Sequence, residues 1–240
     1  VIGSDHPVSF SDDLKDKRLR SSILIEYKDF NFVIDCGPDF RQQMLRTKCR
    51  KLDAIIFTHE HADHTTGIDD VRPYFFRQGK IPIYLHERVL NSLHNRFAYI
   101  FDPKQKYPGA PDFEVNLITK ENDFQILGLN FSPIEAVHYK LPVLGFRLGK
   151  FAYLTDVKTI SDKEMLKLNG LDTLIINALR YESHPSHLNI EEALEIIDQV
   201  KPKQTFFTHI SHNMGFHEEV CSSLPKSVSL AFDGLVLEVD

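Results

Sequence analysis

The chain reads as an α/β protein with mixed sheets in the interior and helices outside, on three observations. Short apolar runs of strand length alternate with segments of helical period. The middle of the chain is a succession of β patterns broken by Gly and Asn turns. Four of the apolar runs stop abruptly at a His or an Asp, the place where α/β folds carry their sites.

The elements follow in order. SSILIEY (21–27), NFVID (31–35) and AIIFT (54–58) read as strands, and PDFRQQMLRTK between the last two as a helix with Pro38 in its first turn. IPIYL (81–85) is a strand, followed by a helix with Val89, Leu90, Leu93 and Phe97 on one face. FEVNLIT, FQILG, LNFSPIEAV, VLGFRLG and FAYLT make the β-rich middle. Ser161 and Glu164 form a capping box for a short helix that Gly170 ends. DTLIINA is a strand, and Asn189 with Glu192 caps a helix striped by Ile190, Ala193, Leu194 and Ile197, with Pro202 beyond it. TFFT (205–208) and GLVLEV (234–239) are the late strands. There is no Ser/Gly linker, low-complexity segment or repeat, so residues 1–240 are expected to be a single α/β domain.

Bulk composition narrows the function. With 240 residues, 42% hydrophobic and 26% charged, the chain can bury a sizeable core. A net charge of -6 argues against a broad basic face for long nucleic acid. Cys36, Cys49 and Cys221 are odd in number and scattered, as expected of reduced thiols in a cytoplasmic protein. No apolar stretch is long enough to span a bilayer, and no signal-peptide pattern opens the chain at Val1.

The chemistry gathers at strand ends. AIIFT runs into His59, IEAV into His138, FAYLT into Asp156 and TFFT into His209. In HEHADH, His59 and His61 are spaced to share a face, while Asp63 and His64 are displaced enough to serve a second ion. Imidazole nitrogens and carboxylate oxygens are zinc ligands, and a two-metal hydrolase needs such a set. The ligands expected are His59, His61 and His138 for one ion, Asp63, His64 and His209 for the other, and Asp156 between them. A lone HxH pair would carry no such weight; this series of strand-end donors does.

THEHADH followed by strand-end His, Asp and His resembles the metallo-β-lactamase superfamily over essentially the whole chain. The resemblance implies an αββα sandwich, two mixed β-sheets flanked by helices, with two metals at one edge. HADHTTGIDDVRPY (61–74), YLTD (153–156), HPSHLNIEEAL (184–194) and THISH (208–212) are similar to the phosphodiesterase branch. That branch includes the phosphoribosyl cyclic phosphate phosphodiesterases and, more distantly, RNase Z. Too few residues separate His138 from Asp156 for a tRNA-gripping arm. EAVHYKLP is unlike the acyl-hydrolase segment, His61 is not the Glu of the oxidoreductases, and His64 is present where the lactamases proper lose it.

The resemblance implies a binuclear metallohydrolase of a small cyclic nucleotide or ribose phosphodiester, with zinc as the metal and manganese as the alternative. Asp63 would orient the nucleophile while ligating, and His187 would contact the phosphate and protonate the leaving oxygen. His184 and Arg180 are further candidates for substrate binding. Asp69 and Asp70 are expected to cap the helix after the motif, and His86, His94 and His217 to be plain surface residues. Members usually begin with a strand and a GTGTS-like turn that this chain lacks. Ser4, His6 and Ser9 stand where some members carry the cysteines of a structural zinc, so no third zinc is expected and His212 is left without obvious partners. The implied partner is a small phosphodiester, with no long nucleic acid and no membrane, and members are often homodimers. The alternatives are an RNA-processing nuclease of the RNase Z type and a metal-binding module without turnover.

Overall fold

The computed structural model describes residues 6–239; Val1 and Ser4 lie outside the described residues. The chain divides into two compact units, one from Arg20–Gly128, the other from the residues up to Leu19 and from Leu129 onward.

The Arg20–Gly128 unit contains β1 (Ile23–Tyr27), β2 (Phe30–Ile34), α1 (Phe40–Thr47), β3 (Ala54–Ile56), α2 (Ala62–Thr65), α3 (Arg72–Gln78), β4 (Ile81–Leu85), α4 (Glu87–Arg96), α5 (Ala98–Phe101), β5 (Phe113–Leu117) and β6 (Phe124–Ile126). Its sheet runs β1-β2-β3-β4-β5. β1 and β2 form an antiparallel hairpin, and β2 to β5 are parallel, with Val33, Ile55, Ile83 and Val115 in line across the sheet. Strands buried on both faces have no polar side to show, which is why AIIF reads as an unbroken apolar run. Phe40 and Met44 of α1 and Val89 and Leu93 of α4 close over this sheet in one core. α1 starts at Phe40 with Asp39 at its N-cap, so Pro38 precedes the helix instead of lying in its first turn. The backbone there is already committed: Cys36 N–H donates to the His64 carbonyl and Phe40 N–H to that of Gly37.

The other unit contains β7 (Leu129–His138), β8 (Leu141–Leu148), β9 (Phe151–Leu154), β10 (Thr159–Ile160), α6 (Asp162–Met165), β11 (Thr173–Asn177), α7 (Ile190–Val200), β12 (Gln204–Thr208), α8 (His217–Ser223) and β13 (Val228–Leu230). Its sheet carries the order β10-β7-β8-β9-β11-β12-β13. β7 and β9 are both antiparallel to β8, and β9, β11, β12 and β13 are mutually parallel neighbours. β7, β9, β11 and β12 therefore point the same way and end on one edge of the sheet. Ile190, Ala193 and Val200 of α7 and Val220 of α8 pack with Leu154, Ile176 and Phe207 of the strands. Both units thus have a mixed sheet flanked by helices, as expected.

Three further expectations fail in detail. GLVLEV forms no strand: the ladder beside β12 is taken by Val228–Leu230, in register with Thr205–Phe207. The box on α6 is only half made. Ser161 accepts from Glu164 N–H, but the Glu164 carboxylate accepts from Glu135 N–H on β7 and pairs with Lys167. On α7 both halves of the Asn189/Glu192 box are present. Asp69 does not cap α3; both of its oxygens accept from the Arg72 guanidinium, and Val71 stands at the cap. No helix among the described residues is long and apolar enough to cross a membrane.

Candidate metal centre

In the Arg20–Gly128 unit the donors follow neighbouring parallel strands, Asp35 after β2 and the HEHADH loop after β3. Asp35 was not singled out in the sequence, and it organises this half. It is fully buried, and its carboxylate accepts from Thr58 N–H at 2.9 Å and Thr58 Oγ1 at 2.8 Å. His64 Nδ1 lies 2.7 Å from Asp35 Oδ2. Because Thr58 Oγ1 spends its proton on Asp35, it must accept at its 2.9 Å contact with His59 Nδ1. Both imidazoles then carry their proton on Nδ1 and present the lone pair of Nε2, the form a metal ligand needs. Burial pushes the Asp35 carboxyl up, opposed by the His64 and Thr58 bonds.

His61 stands at the N-cap of α2 with its ring edge-on to that of His59, centroids 4.7 Å apart. Asp63, in the first turn of α2, has Oδ2 3.6 Å from His64 Nε2 and 3.9 Å from Arg20 Nη1. Two glycines allow the β2–α1 loop to lie on this motif. A Cβ at Gly37 would sit 2.1 Å from the Asp63 carbonyl oxygen, and one at Gly67 2.0 Å from that of Gly37.

In the other unit the donors stand along one sheet edge. His138 ends β7, Asp156 follows β9, His187 lies on the loop after β11, and His209 follows β12. Asp156 is nearly fully buried, and three imidazole nitrogens surround its Oδ1: His187 Nε2 at 3.0 Å, His209 Nε2 at 3.3 Å and His138 Nε2 at 3.9 Å. Donor atoms of Asp156, His187 and His209 all fall within 4.8 Å of one another, a spacing that can hold an ion. His138 Nδ1 is 2.7 Å from the Ser186 carbonyl, which can only accept, so the Nδ1 carries the proton and Nε2 is the nitrogen that could hold a metal. Asp156 and His209 adopt left-handed backbone (φ 58° and 51°), as does Asp35 (φ 67°). Asp and His tolerate this region better than most residues, and its cost is typical of functional sites.

The donor set fits a divalent transition metal: His59, His64 and His138 have Nδ1 engaged, which leaves Nε2 as the nitrogen suited to an ion, and carboxylates stand among them with no thiolate. Cys36 is buried, which pushes its thiol well above the usual range, and no cysteine is disulfide-bonded.

The remaining candidates sort by contact. His184 packs on His187, with their Nδ1 atoms 3.1 Å apart and Ser186 Oγ within 3.1 Å of both, and the Ser186 N–H donates to His184 Nδ1. Burial, then the neighbouring His187 and Arg180, lowers the His184 pKa. The Arg180 guanidinium donates to the carbonyls of Glu182 and Ser183, bracing its own loop. His86 caps α4 by accepting from Arg88 N–H, and His94 is exposed on the same helix. His217 is not a surface residue. It is 5% exposed, with Nδ1 accepting from Arg18 at 2.8 Å and Nε2 3.7 Å from Cys221 Sγ. His212 also has a neighbour, the ring of His6 standing edge-on at 5.3 Å. Tertiary contacts of this kind leave no periodic trace in the sequence.

Comparison with known proteins agrees with this geometry. The profile of the beta-lactamase superfamily domain matches residues 30–210. A crystal structure of a diphosphatase from the PhnP family superposes with a TM-score of 0.92 at 39% identity, covering 100% of this chain and 92% of that one. An octanoyltransferase of Porphyromonas gingivalis is 37% identical over all of this chain, which spans 49% of that protein. The mitochondrial ribonuclease Z 2 of Schizosaccharomyces pombe is 24% identical over 91% of this chain and 36% of its own length. The chain spans half or less of these two curated relatives. Together, the matched profile, the strand-end donor series and the near-complete superposition mean that the chain belongs to the metallo-β-lactamase superfamily, in its phosphodiesterase branch.

Proposed function

We propose that the protein is a metal-dependent phosphodiesterase of the cytoplasm acting on a small nucleotide or ribose phosphodiester, with a cyclic phosphate as the favoured substrate. The observation that carries this reading is the set of three imidazole Nε2 atoms around Asp156 Oδ1. Such a buried carboxylate is suited to bridging cations that neutralise its charge. The proposed ligands are His59, His61, Asp63, His64, His138, Asp156 and His209. Two divalent ions, zinc first and manganese second, would acidify water and neutralise charge on phosphoryl oxygens.

The chain's own residues do the rest. Asp35, directly and through Thr58, holds the protons of His64 and His59 on Nδ1. Asp63 would be a ligand and would orient the attacking water. His187, with His184 and Ser186 on its Nδ1 side, holds a proton at Nε2 for the leaving oxygen. A small substrate suits the chain, since β8 and β9 occupy the stretch between His138 and Asp156 where an RNA-gripping arm would be inserted. About half of the octanoyltransferase relative lies outside the match, so the activity in its name does not assign acyl chemistry to the matched half.

The test is a substrate panel with metal analysis on the purified chain: 2′,3′-cyclic nucleotides, phosphoribosyl cyclic phosphate, bis(p-nitrophenyl) phosphate, an acyl thioester and a precursor tRNA. We expect about two metal ions per chain and fastest turnover on a cyclic phosphate. Preference for the thioester or the precursor tRNA, or full metal occupancy without turnover of any phosphodiester, overturns the proposal. Sedimentation of the same preparation decides whether the chain is a homodimer.

A further inference from the structure

The loop that presents His61, Asp63 and His64 is tied to α4 by side chains outside the donor set. Arg96, the last residue of α4, directs one guanidinium nitrogen, Nη2, to the Glu60 carbonyl at 2.8 Å and to Thr65 Oγ1 at 2.9 Å. Thr65 Oγ1 accepts that bond and passes its own proton to the His61 carbonyl at 2.7 Å. One nitrogen thus grips the loop at its entry, residue 60, and at its exit, residue 65. The four residues between are His61, Ala62, Asp63 and His64. Two turns earlier on α4, Arg88 Nε meets Glu60 Oε1 at 2.7 Å. The two arginines stand about 12 Å apart along the helix at 1.5 Å per residue. α4 is itself fixed on the sheet by Val89 and Leu93, both fully buried.

We propose that Arg96 is a positioning residue of the metal loop, holding segment 60–65 in the turn that brings its His and Asp donors to the ions. The inference rests on the reading above that His61, Asp63 and His64 are ligands. Both N–H groups of Nη2 are used, one on each end of the loop. Arg is suited to this because its planar fork is pre-organised and loses little freedom per bond formed. A loop held at both ends before metal arrives spends none of the binding energy on being ordered. Arg88 sets the Glu60 side chain, and Arg96 sets the backbone on which the donors ride.

The experiment compares wild type, Arg96→Ala and Arg96→Lys in two ways: zinc affinity against a chromophoric chelator, and amide hydrogen exchange of the metal-stripped full chain. In Arg96→Ala zinc should bind about 10- to 100-fold more weakly, the usual cost of losing a group that orients ligands. Exchange in residues 60–66 should rise by about tenfold, the worth of one to two net hydrogen bonds, while residues 87–95 of α4 keep their protection. Arg96→Lys should recover part of both losses, since an ammonium can reach one acceptor at a time. Unchanged affinity with unchanged exchange overturns the proposal. So does loosened exchange throughout α4 with no recovery by lysine, which would make Arg96 a general packing residue. If the wild type itself binds no zinc, the ligand reading fails, and the exchange comparison still decides whether Arg96 holds the loop.

Discussion

Replacing Asp35 by Asn removes a buried carboxylate charge and reverses the hydrogen-bonding sense of one of its two oxygen positions at nearly constant shape. Asp35 Oδ1 accepts from Thr58 N–H, while Oδ2 takes the Thr58 hydroxyl and His64 Nδ1. With the amide oxygen kept at Oδ1, the new NH2 group faces two donors. His64 must then accept at Nδ1 and move its proton to Nε2. Thr58 must turn its proton toward His59 Nδ1, which sends the His59 proton to Nε2 as well. Both imidazoles then present N–H where a ligand lone pair is needed. With the amide reversed, its NH2 opposes the Thr58 backbone N–H, and an unsatisfied buried donor costs about 1–3 kcal/mol. Removing an outer partner of a ligating His typically weakens metal binding by about 10- to 100-fold, or about 1.4–2.7 kcal/mol. We expect Asp35→Asn to lose at least that in zinc affinity near neutral pH, while its metal-free circular dichroism stays that of wild type. Chelator competition gives the first number and the spectrum is the control. Wild-type zinc affinity and stoichiometry in a folded Asp35→Asn protein would refute the tautomer argument.

The other predictions concern different layers of the molecule. His187→Ala should lower turnover of a cyclic ribose phosphate by about 10²–10⁴, and the loss should shrink on bis(p-nitrophenyl) phosphate, whose leaving oxygen needs no proton. Metal content should stay at the wild-type level; a drop would make His187 a ligand, as its 3.0 Å contact with Asp156 permits. Gly67→Ala puts a Cβ 2.0 Å from the Gly37 carbonyl oxygen and 2.7 Å from Phe40 Cβ, neither of which is a flexible side-chain end. It should cost about 1–3 kcal/mol, read as a fall in melting temperature. His217 has its pKa lowered by burial first and then by Arg18, so the folded chain binds a proton there less readily than the unfolded one. Its contribution is therefore intact above the ordinary His range and is lost as pH falls below about 6.5. His217→Asn, whose amide oxygen can accept from Arg18 in place of Nδ1, should flatten the melting temperature between pH 7 and pH 5.5.

What was legible in the sequence was what has a period or a fixed spacing. AIIFT, IPIYL and the Asn189 box are local patterns, and β3, β4 and α7 form where they stand. The donors announced themselves because His and Asp interrupt apolar strands. Asp35 interrupts one too, at the end of NFVID, but a single carboxylate after a strand has no partner spacing to mark it. Its meaning depends on Thr58 and His64, 23 and 29 residues away. His217 was hidden for the same reason, since Arg18 is 199 residues distant. GLVLEV misled because alternation reports strand propensity, whereas a strand also needs a free ladder, and Val228–Leu230 holds the one beside β12.

The parallel register has an engineering consequence. Leu154 pairs with Ile176, and Asn177 with Thr208, so the chain leaves β9, β11 and β12 at nearly one level before Asp156 and His209. Side chains alternate faces along a strand, so adding or deleting one residue inside β9 or β12 would turn every later side chain to the opposite face. The same edit at the β8–β9 turn, where Gly149 lies in left-handed backbone, would be absorbed before the paired stretch begins. Length variation in this unit should thus be tolerated at the end of the sheet away from Asp156 and refused at the end that carries it. A library of single-residue insertions, scored for folding and for metal binding separately, would draw that boundary along the chain.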